Sequence, residues 1–269
     1  MQDSIKKNYK LVDCFNTIFA NNTLQIPRLF AYDEVDSTNN VAKLYAEGNG
    51  SSDTGAALFF TRTQRAGRGT RMRTFESPRD SGLYMSLIIR PKEDVVFATR
   101  ITMLTAVAVC RVINRLIYGN EAKIKWVNDI TISDKKLAGI LTESALDVSG
   151  KTRYIIIGIG VNLKPGGHSP EVEKIMTSLL EYGIDISAEK LSALITKELL
   201  LELERGGYDF IDEYREMSSI LGRRVTVTDF NGAYSATALS IADDGALIVK
   251  RDNGEETTLI SADVSVRPL

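Results

Sequence analysis

Residues 122–144 read AKIKWVNDITISDKKLAGILTES, and this stretch predicts a β-hairpin. Two runs rich in apolar and β-branched residues, 122–133 and 135–144, meet at a tight turn at Ser133–Asp134–Lys135. Strands joined by so short a turn pair antiparallel, because a parallel pair needs a long crossover connection. The stretch therefore predicts two neighbouring antiparallel strands, each of them unbroken.

Strand and helix patterns continue on both sides of this hairpin. Apolar runs bounded by turn residues predict strands over 29–35, 55–63, 82–91 and 152–163. Periodic apolar patterns predict helices over 38–48, 98–119, 188–207 and near 208–220. Ser37 or Thr38 is the expected N-cap of the first of these helices. The pattern indicates a layer of strands covered by helices.

The two ends of the chain differ from this middle part. Residues 1–27 are polar and weakly patterned, and 11–20 predicts one or two helical turns. This segment is too short for a winged helix-turn-helix, so a DNA-reading domain is not expected there. After Leu221, Thr/Val/Ile-rich runs alternate with hairpin signals, which are Asn231-Gly232, Asp244-Gly245 and Asn253-Gly254. This alternation predicts about five short strands in a small barrel.

Composition excludes several classes of protein. The 269 residues carry 33 Lys plus Arg against 35 Asp plus Glu, a net charge of -2, which argues against wholesale binding of nucleic acid or membrane. Two cysteines, Cys14 and Cys110, exclude a disulfide framework and a cysteine-type zinc site. No signal peptide or apolar run long enough to span a bilayer is present, so a cytoplasmic protein is expected. The single histidine, His168, is interpreted as an ordinary loop residue.

The arginine loop, residues 61–75, is the strongest chemical signal. It reads TRTQRAGRGTRMRTF, with five Arg, two Gly and no acidic residue. Arginine supplies forked donors for carboxylate or phosphate oxygens, and glycine lets the backbone approach a ligand closely. The charge alone leaves two readings open, an anion site or a solvated basic loop.

Three further motifs carry weaker signals. Ser37, Thr38 and Asn39 fall at a strand-to-helix turn, where hydroxyls and free N–H groups can bind an anion or merely cap the helix. Lys136 precedes the apolar run LAGIL, so it is expected to be half-buried beside an anion. The glycines of GIGVN, 158–162, mark close approach of a ligand or of another backbone. Together these motifs could hold a carboxylate beside a phosphate.

The motifs occur in the order typical of the biotin protein ligases, which the chain resembles. They are DSTN at 36–39, QRAGRGTRMRTFESP at 64–78, KWVNDITISDKKLAGILTE at 125–143 and GIGVN at 158–162. The resemblance implies an α+β fold with a central mixed or antiparallel sheet flanked by helices and a C-terminal SH3-like β-barrel. It implies an N-terminal extension over 1–28, a catalytic domain over 29–220 and the barrel over 221–269.

The resemblance also implies the reaction and its partners. The biotin carboxylate attacks the α-phosphate of ATP to give biotinyl-5'-AMP. A lysine of a biotin carboxyl carrier protein, part of acetyl-CoA carboxylase or a related carboxylase, then takes the biotin. Mg²⁺ is the expected counter-ion of ATP, with its ligands unknown. The protein is expected to act as a monomer or a homodimer, without binding DNA or membrane.

Site residues follow by matching to the family motifs. The residues expected around biotin are Ser37, Thr38, Asn39, Gln64, Gly67, Arg68, Lys136 and Gly139. The residues expected around the nucleotide are Arg71, Arg73, Phe75, Asn128, Asp129 and Asn162. Lys136 and Arg68 are the expected catalytic residues, with Lys136 bridging the carboxylate and the α-phosphate. Asp129 is expected either to hold metal or to orient this lysine, and Phe75 to stack on adenine.

Three positions depart from the family pattern. Thr70 stands where many members have an arginine that helps retain the adenylate, so retention is in doubt. Met72 replaces a common glycine, and Val127 replaces a frequent proline. Because residues 1–27 cannot form a winged helix, the chain resembles the monofunctional ligases.

Two rival functions remain open at the level of sequence. A lipoate or octanoate ligase or transferase shares the fold of the superfamily but binds a flexible chain without a ureido ring. A nucleic-acid-binding module would use the arginine loop, and its affinity would fall steeply with salt.

Overall fold

A sheet of seven strands forms the centre of the molecule. The computed structural model describes residues 8–48, 55–91, 98–206, 210–229, 232–260 and 265–268. The seven strands are β1 (Arg28–Tyr32), β2 (Ala57–Thr61), β3 (Gly82–Ile89), β4 (Lys123–Lys125), β5 (Asp129–Ile132), β6 (Lys135–Leu146) and β7 (Thr152–Asn162). They lie in the order β1-β2-β3-β7-β6-β5-β4. The β1–β2 pair is parallel and every other neighbouring pair is antiparallel, so the expected mixed sheet is confirmed.

Helices cover both faces of this sheet. They are α1 (Tyr9–Phe19), α2 (Thr38–Glu47), α3 (Ala98–Asn114), α4 (Pro170–Ile175), α5 (Ala188–Glu204) and α6 (Ile211–Glu216). Helix α2 packs through Ala42 and Ala46 against Phe59 and Ile156 of one face. Helices α3 and α5 cover the other face and bury the larger part of the core. The α+β architecture inferred from the sequence is therefore confirmed.

The N-terminal helix is longer than the sequence pattern suggested. Helix α1 makes about three turns, where 11–20 predicted one or two. Leu11, Phe15 and Phe19 are buried, and their spacing of four residues places them on one face of the helix, which packs against α5. The Lys197 ammonium donates to the Ile18 carbonyl oxygen across this contact at 2.9 Å. One face of α1 therefore belongs to the packed core.

The stretch that predicts the hairpin holds one turn more than expected. The tight turn is present, with positive φ angles at Ser133 (50°) and Asp134 (63°). The run 122–133 is not one strand, however, because residues 126–128 turn and fold β4 back antiparallel onto β5. Tyr214 in α6 stabilises this extra turn, since its hydroxyl donates to the Val127 carbonyl oxygen at 3.0 Å.

Helix α3 also ends earlier than predicted. It stops at Asn114, and Gly119 lies beyond the helix in a left-handed conformation, with φ of 77°. The Asn114 side chain exchanges hydrogen bonds with the backbone of Ala122, at 2.8 and 3.2 Å. This pairing directs the chain towards β4, although the periodic apolar pattern of the helix continues to residue 119.

The C-terminal part forms a second, five-stranded antiparallel sheet. Its strands are β8 (Arg224–Asp229), β9 (Gly232–Ile241), β10 (Leu247–Arg251), β11 (Glu256–Leu259) and β12 (Ser265–Pro268). Gly245 and Gly254 have φ of 89° in the predicted turns, while Asn231 lies outside the described residues. The sheet is of the kind expected for an SH3-like domain. No helix of the described residues is long and apolar enough to cross a membrane.

Candidate active site

A cleft of about 510 Å³ opens where α2 begins, beside the arginine loop and strands β6 and β7. The predicted site residues that line it are Ser37, Thr38, Asn39, Gln64, Arg68, Arg71, Arg73, Phe75, Asn128, Asp129, Lys136, Gly139 and Asn162. Gly67 is the exception and lines a shallower depression on the other side of the loop. A Cβ atom on Gly67 would lie 2.2 Å from the Phe75 carbonyl oxygen, so its place in the loop requires glycine.

The arginine loop is a small hairpin rather than an irregular segment. The Phe75 N–H donates to the Gly67 carbonyl oxygen at 2.9 Å, and the Gly69 N–H donates to the Arg73 carbonyl oxygen at 2.7 Å. A single 3₁₀ turn over Thr70–Met72 forms the tip. Arg71 in this tip has a left-handed φ of 56° and, like Arg73, an exposed side chain. The hairpin therefore presents guanidinium groups at the edge of the cleft.

Gln64 caps helix α2 from outside the helix. Ser37 occupies the N-cap position as predicted, but its side chain makes no capping hydrogen bond. The Gln64 side-chain oxygen instead accepts from the Thr38 N–H at 2.8 Å and from the Thr38 hydroxyl at 3.2 Å. The Gln64 amino group donates to the Ser77 hydroxyl at 2.8 Å. One amide thus joins the start of α2 to both ends of the arginine hairpin.

Asn39 is fixed by partners that the sequence did not reveal. Its side-chain oxygen accepts from the fully buried Ser86 hydroxyl at 2.6 Å, and its amino group donates to Glu143 at 2.7 Å. Gly158 of β7 makes room for this amide, because a Cβ atom there would lie 2.3 Å from Asn39 Oδ1. One glycine of the GIGVN motif therefore serves packing within the protein.

Arg68 forms an ion pair with Glu143 of β6. Arg68 Nη2 lies 3.0 Å from Glu143 Oε1, and Arg68 Nη1 lies 3.2 Å from Glu143 Oε2. Nη1 also donates to the side-chain oxygen of Asn40 at 3.0 Å. Glu143 was not among the predicted site residues, although it is the last residue of the lysine motif at 125–143. The Arg68 guanidinium is thus engaged by a protein carboxylate rather than directed into open solvent.

Lys136 and Asp129 form the charged centre of the cleft. Lys136 Nζ lies 2.6 Å from Asp129 Oδ1, and the side chains are 35% and 22% exposed. The half-buried lysine predicted from the apolar run is therefore present, and its nearest anion is Asp129. Asn162 donates to the Lys136 carbonyl oxygen at 3.3 Å and so fixes the backbone beside it. Asn128 similarly donates to the Ile140 carbonyl oxygen at 2.8 Å.

The Phe75 ring lies on a glycine floor in the cleft. Gly139 and Gly160 are paired across β6 and β7. A Cβ atom would lie 2.5 Å from the ring at Gly160 and 3.3 Å from it at Gly139. Lys136 Nζ lies 5.7 Å from the ring centroid, a cation–π distance. The ring therefore covers the two glycines at the floor of the cleft.

His168 and Trp126 also line the cleft, although neither belongs to the predicted set. His168 lines it, with a buried Nδ1 that has no hydrogen-bond partner among the described residues. Its neighbour Ser169 donates from N–H and hydroxyl to Glu76, each at 2.7 Å, and these bonds hold the pKa of Glu76 below its ordinary value. Trp126 Nε1 donates to the Gly245 carbonyl oxygen at 2.9 Å and so ties the cleft to the C-terminal sheet.

The described residues offer no ready-made metal cage. No group of three or more His, Cys, Asp or Glu side chains that could hold a metal ion occurs among them. A divalent cation held mainly by phosphate oxygens of a ligand needs only one or two protein carboxylates. Asp129 is a carboxylate that lines the cleft.

Known proteins share this architecture. The fold matches that of a biotin protein ligase from Aquifex aeolicus in complex with biotin and ATP, with a TM-score of 0.74 and 23% identity over 91% of this chain and 100% of that one. Residues 33–162 match the Biotin/lipoate A/B protein ligase family, and residues 220–267 match the Biotin protein ligase C terminal domain.

Relatives in sequence agree with the fold. A biotin–[acetyl-CoA-carboxylase] ligase of Paracoccus denitrificans is 34% identical over 82% of this chain and 93% of its own length. The bifunctional ligase/repressor BirA of Bacillus subtilis is 31% identical over 88% of this chain and 74% of its own. The chain therefore belongs to the biotin/lipoate A/B protein ligase family. Its C-terminal match places it with the biotin protein ligases of that family.

Proposed function

We propose that the protein is an ATP-dependent biotin protein ligase. It joins the biotin carboxylate to the α-phosphate of ATP, with loss of pyrophosphate, and then transfers biotin from biotinyl-5'-AMP to a lysine of a biotin carboxyl carrier protein. The Lys136–Asp129 pair at the centre of the cleft is the observation that carries this proposal. Such a site must neutralise two anions that react with each other.

Lys136 is the residue to which we assign that neutralisation. An ammonium has three hydrogens, so one can remain on Asp129 while the others contact the biotin carboxylate and an α-phosphate oxygen. Asp129 then acts as the partner that orients the lysine. Negative charge grows on the phosphoryl oxygens as the carboxylate oxygen attacks phosphorus and the bond to pyrophosphate breaks. A fixed cation at this point favours the transition state over the bound substrates.

The two ends of the cleft suit the two substrates. Ser37, Thr38 and Gln64 offer hydroxyl and amide groups for the polar ring of biotin. The glycine floor has space for its flat shape once the Phe75 ring moves aside. Arg71 and Arg73 at the hairpin tip, with Asn128 and Asn162, suit the phosphates and the base of ATP. Mg²⁺ held by ATP oxygens, with Asp129 as its protein ligand, would neutralise charge on the triphosphate.

Transfer to the carrier completes the reaction. The neutral amine of the carrier lysine attacks the acyl carbon of the adenylate, AMP leaves with the electron pair of the broken anhydride bond, and the amine loses a proton to water. An open cleft is needed for a lysine on another protein to reach this carbon. We further propose that the protein works in the cytoplasm without binding DNA, in keeping with its near-neutral net charge.

Mass spectrometry of a carboxyl carrier domain tests this function. The 269-residue protein, incubated with the carrier, ATP and biotin, is expected to add one biotin to one lysine. The Lys136→Ala variant should lose the activity, while Lys135→Ala, a change at the exposed neighbouring lysine, should retain it. Exchange of pyrophosphate into ATP that depends on lipoate instead of biotin would reject the assignment of substrate. The match of residues 220–267 favours biotin.

A further inference from the structure

We propose that Glu143 is a positioning residue that aligns the biotin end of the cleft. This inference rests on the proposed function. Glu143 lies on β6, seven residues beyond Lys136, and its carboxylate contacts two predicted biotin residues at once, Arg68 and Asn39. It joins elements that are distant in sequence: the arginine hairpin, the start of α2 and the central sheet.

The carboxylate decides which way the Asn39 amide faces. A carboxylate only accepts hydrogen bonds, so the amino group of Asn39 must point to Glu143. The Asn39 carbonyl oxygen must then point to Ser86, whose hydroxyl lies 2.6 Å from it and 2.7 Å from the Thr38 hydroxyl. Because Ser86 has a single hydroxyl hydrogen, the orientation of Asn39 affects which of these two oxygens receives it. Glu143 thereby influences the hydrogen-bonding state of Thr38.

The same carboxylate holds the base of the arginine hairpin. Arg68 makes two contacts with Glu143, a forked geometry that fixes the guanidinium plane. Arg68 and Glu143 are 44% and 30% exposed, so solvent weakens the attraction, and fixing of geometry is the expected effect. The hairpin tip with Arg71 lies beyond this anchor. Loss of Glu143 should therefore affect the biotin end more than the nucleotide end.

Steady-state kinetics of adenylate formation test the inference. In Glu143→Ala the KM for biotin is expected to rise about tenfold or more, because a buried amide and a guanidinium lose a charged acceptor. The KM for ATP should stay within about twofold. Glu143→Gln, which keeps the shape but has only one acceptor oxygen, should fall between the wild type and Glu143→Ala. Asn40→Ala, which removes a contact of Arg68 but none of Asn39, is the matched control and should change the KM for biotin at most about twofold.

A double-mutant cycle distinguishes positioning from general destabilisation. If Glu143 acts through Arg68, the combination with Arg68→Ala should raise the KM for biotin by less than the product of the two single effects. Three results would each overturn the inference. The KM for biotin could stay unchanged in Glu143→Ala, or the KM values for biotin and ATP could rise equally. In the double variant, the KM for biotin could rise by the full product of the two single effects. Should Glu143→Ala fail to fold, Glu143→Gln supplies the same comparison. An inactive wild type would reject the proposed function, whereas an active wild type with unaltered Glu143 variants rejects only this inference.

Discussion

The ring of Phe75 rests on Gly160 so closely that a Cβ atom at residue 160 would lie 2.5 Å from ring carbon Cε1. The ring belongs to the arginine hairpin, while the glycine belongs to the centre of the sheet. Sequence analysis placed Phe75 over adenine and Gly139, its other contact, beside biotin. The ring thus covers Gly139, a residue predicted to lie beside biotin. If this prediction holds, Phe75 moves off the floor when biotin binds.

Phe75→Ala is expected to change the affinities for the two substrates in opposite directions. Biotin alone should bind more tightly, by up to about tenfold, because its binding no longer requires the ring to be displaced from the glycine floor. ATP should bind about tenfold more weakly, since stacking of a base on an aromatic ring contributes roughly 1–3 kcal/mol. Isothermal titration calorimetry with each substrate separately gives both numbers.

Phe75→Trp is the matched control for this prediction. It keeps an aromatic ring, so ATP affinity should be preserved and biotin alone should bind no more tightly than in the wild type. Weaker biotin binding by Phe75→Ala would show that the ring supports the biotin site instead of covering it.

Thr70→Arg is expected to slow the escape of biotinyl-AMP. Thr70 lies in the exposed tip of the hairpin, where the family pattern has an arginine. A guanidinium there can form charge-assisted hydrogen bonds with the phosphate of the adenylate, which should lower the dissociation rate about tenfold. Release of radiolabelled adenylate into excess unlabelled ligand measures this rate, with Thr70→Gln as the uncharged control. Equal rates for all three proteins would refute the assigned role of residue 70.

Trp126→Phe is expected to weaken both the fold and the nucleotide site. The change removes the bond from the buried indole to the Gly245 carbonyl oxygen and leaves that oxygen without its donor. The cost of such a loss is about 1–3 kcal/mol, or a decrease in Tm of several degrees. Because residues 126–128 line the cleft, the KM for ATP should rise as well. Calorimetry and ATP kinetics check the two effects. A lower Tm with an unaltered KM for ATP would show that the contact with the C-terminal sheet stabilises the fold but does not support nucleotide binding.

Glu76 is expected to stabilise the folded protein only above acidic pH. Its two hydrogen bonds from Ser169 lower the pKa of the carboxylate from the usual value of 4.5. A carboxylate with a lowered pKa contributes stability that is fully present above the unfolded value and is lost as the pH falls through the folded value. The difference in unfolding free energy between wild type and Glu76→Ala should be about 1 kcal/mol near pH 7, limited by solvent screening, and should shrink below pH 4.5. Urea titrations across this range measure it, and a difference that is independent of pH would exclude the ionised form as the cause.

Local signals in the sequence predicted much of the fold. The Ser133–Asp134 turn was predictable because it joins two apolar runs, and the Asp-Gly and Asn-Gly turns at Gly245 and Gly254 because glycine accepts positive φ. The turn at residues 126–128 was hidden inside an apolar run. Its Val127 carbonyl oxygen accepts from Tyr214, 87 positions away, and its Trp126 indole donates to Gly245, and no local pattern encodes such partners.

In the candidate site, too, local motifs were predictable from the sequence, whereas contacts between distant residues were not. Charge, hydroxyl and glycine motifs located the cleft residues, since ligands of opposite charge require those side chains wherever the fold brings them together. The internal partners were not visible. Ser86 reads as one residue of an apolar strand, and Glu143 is 75 positions from Arg68. Helix α1 did carry a signal in the spacing of Leu11, Phe15 and Phe19, but the polar residues between them obscured it.

The burial of helix α1 has a consequence for protein engineering. The family match begins only at residue 33, which makes trimming the gene to that point attractive. Such a shortened chain would lose the three buried apolar side chains of α1 and expose to solvent the surface of α5 that they cover. We expect it to self-associate or to accumulate in inclusion bodies, even though every group assigned to chemistry would still be encoded.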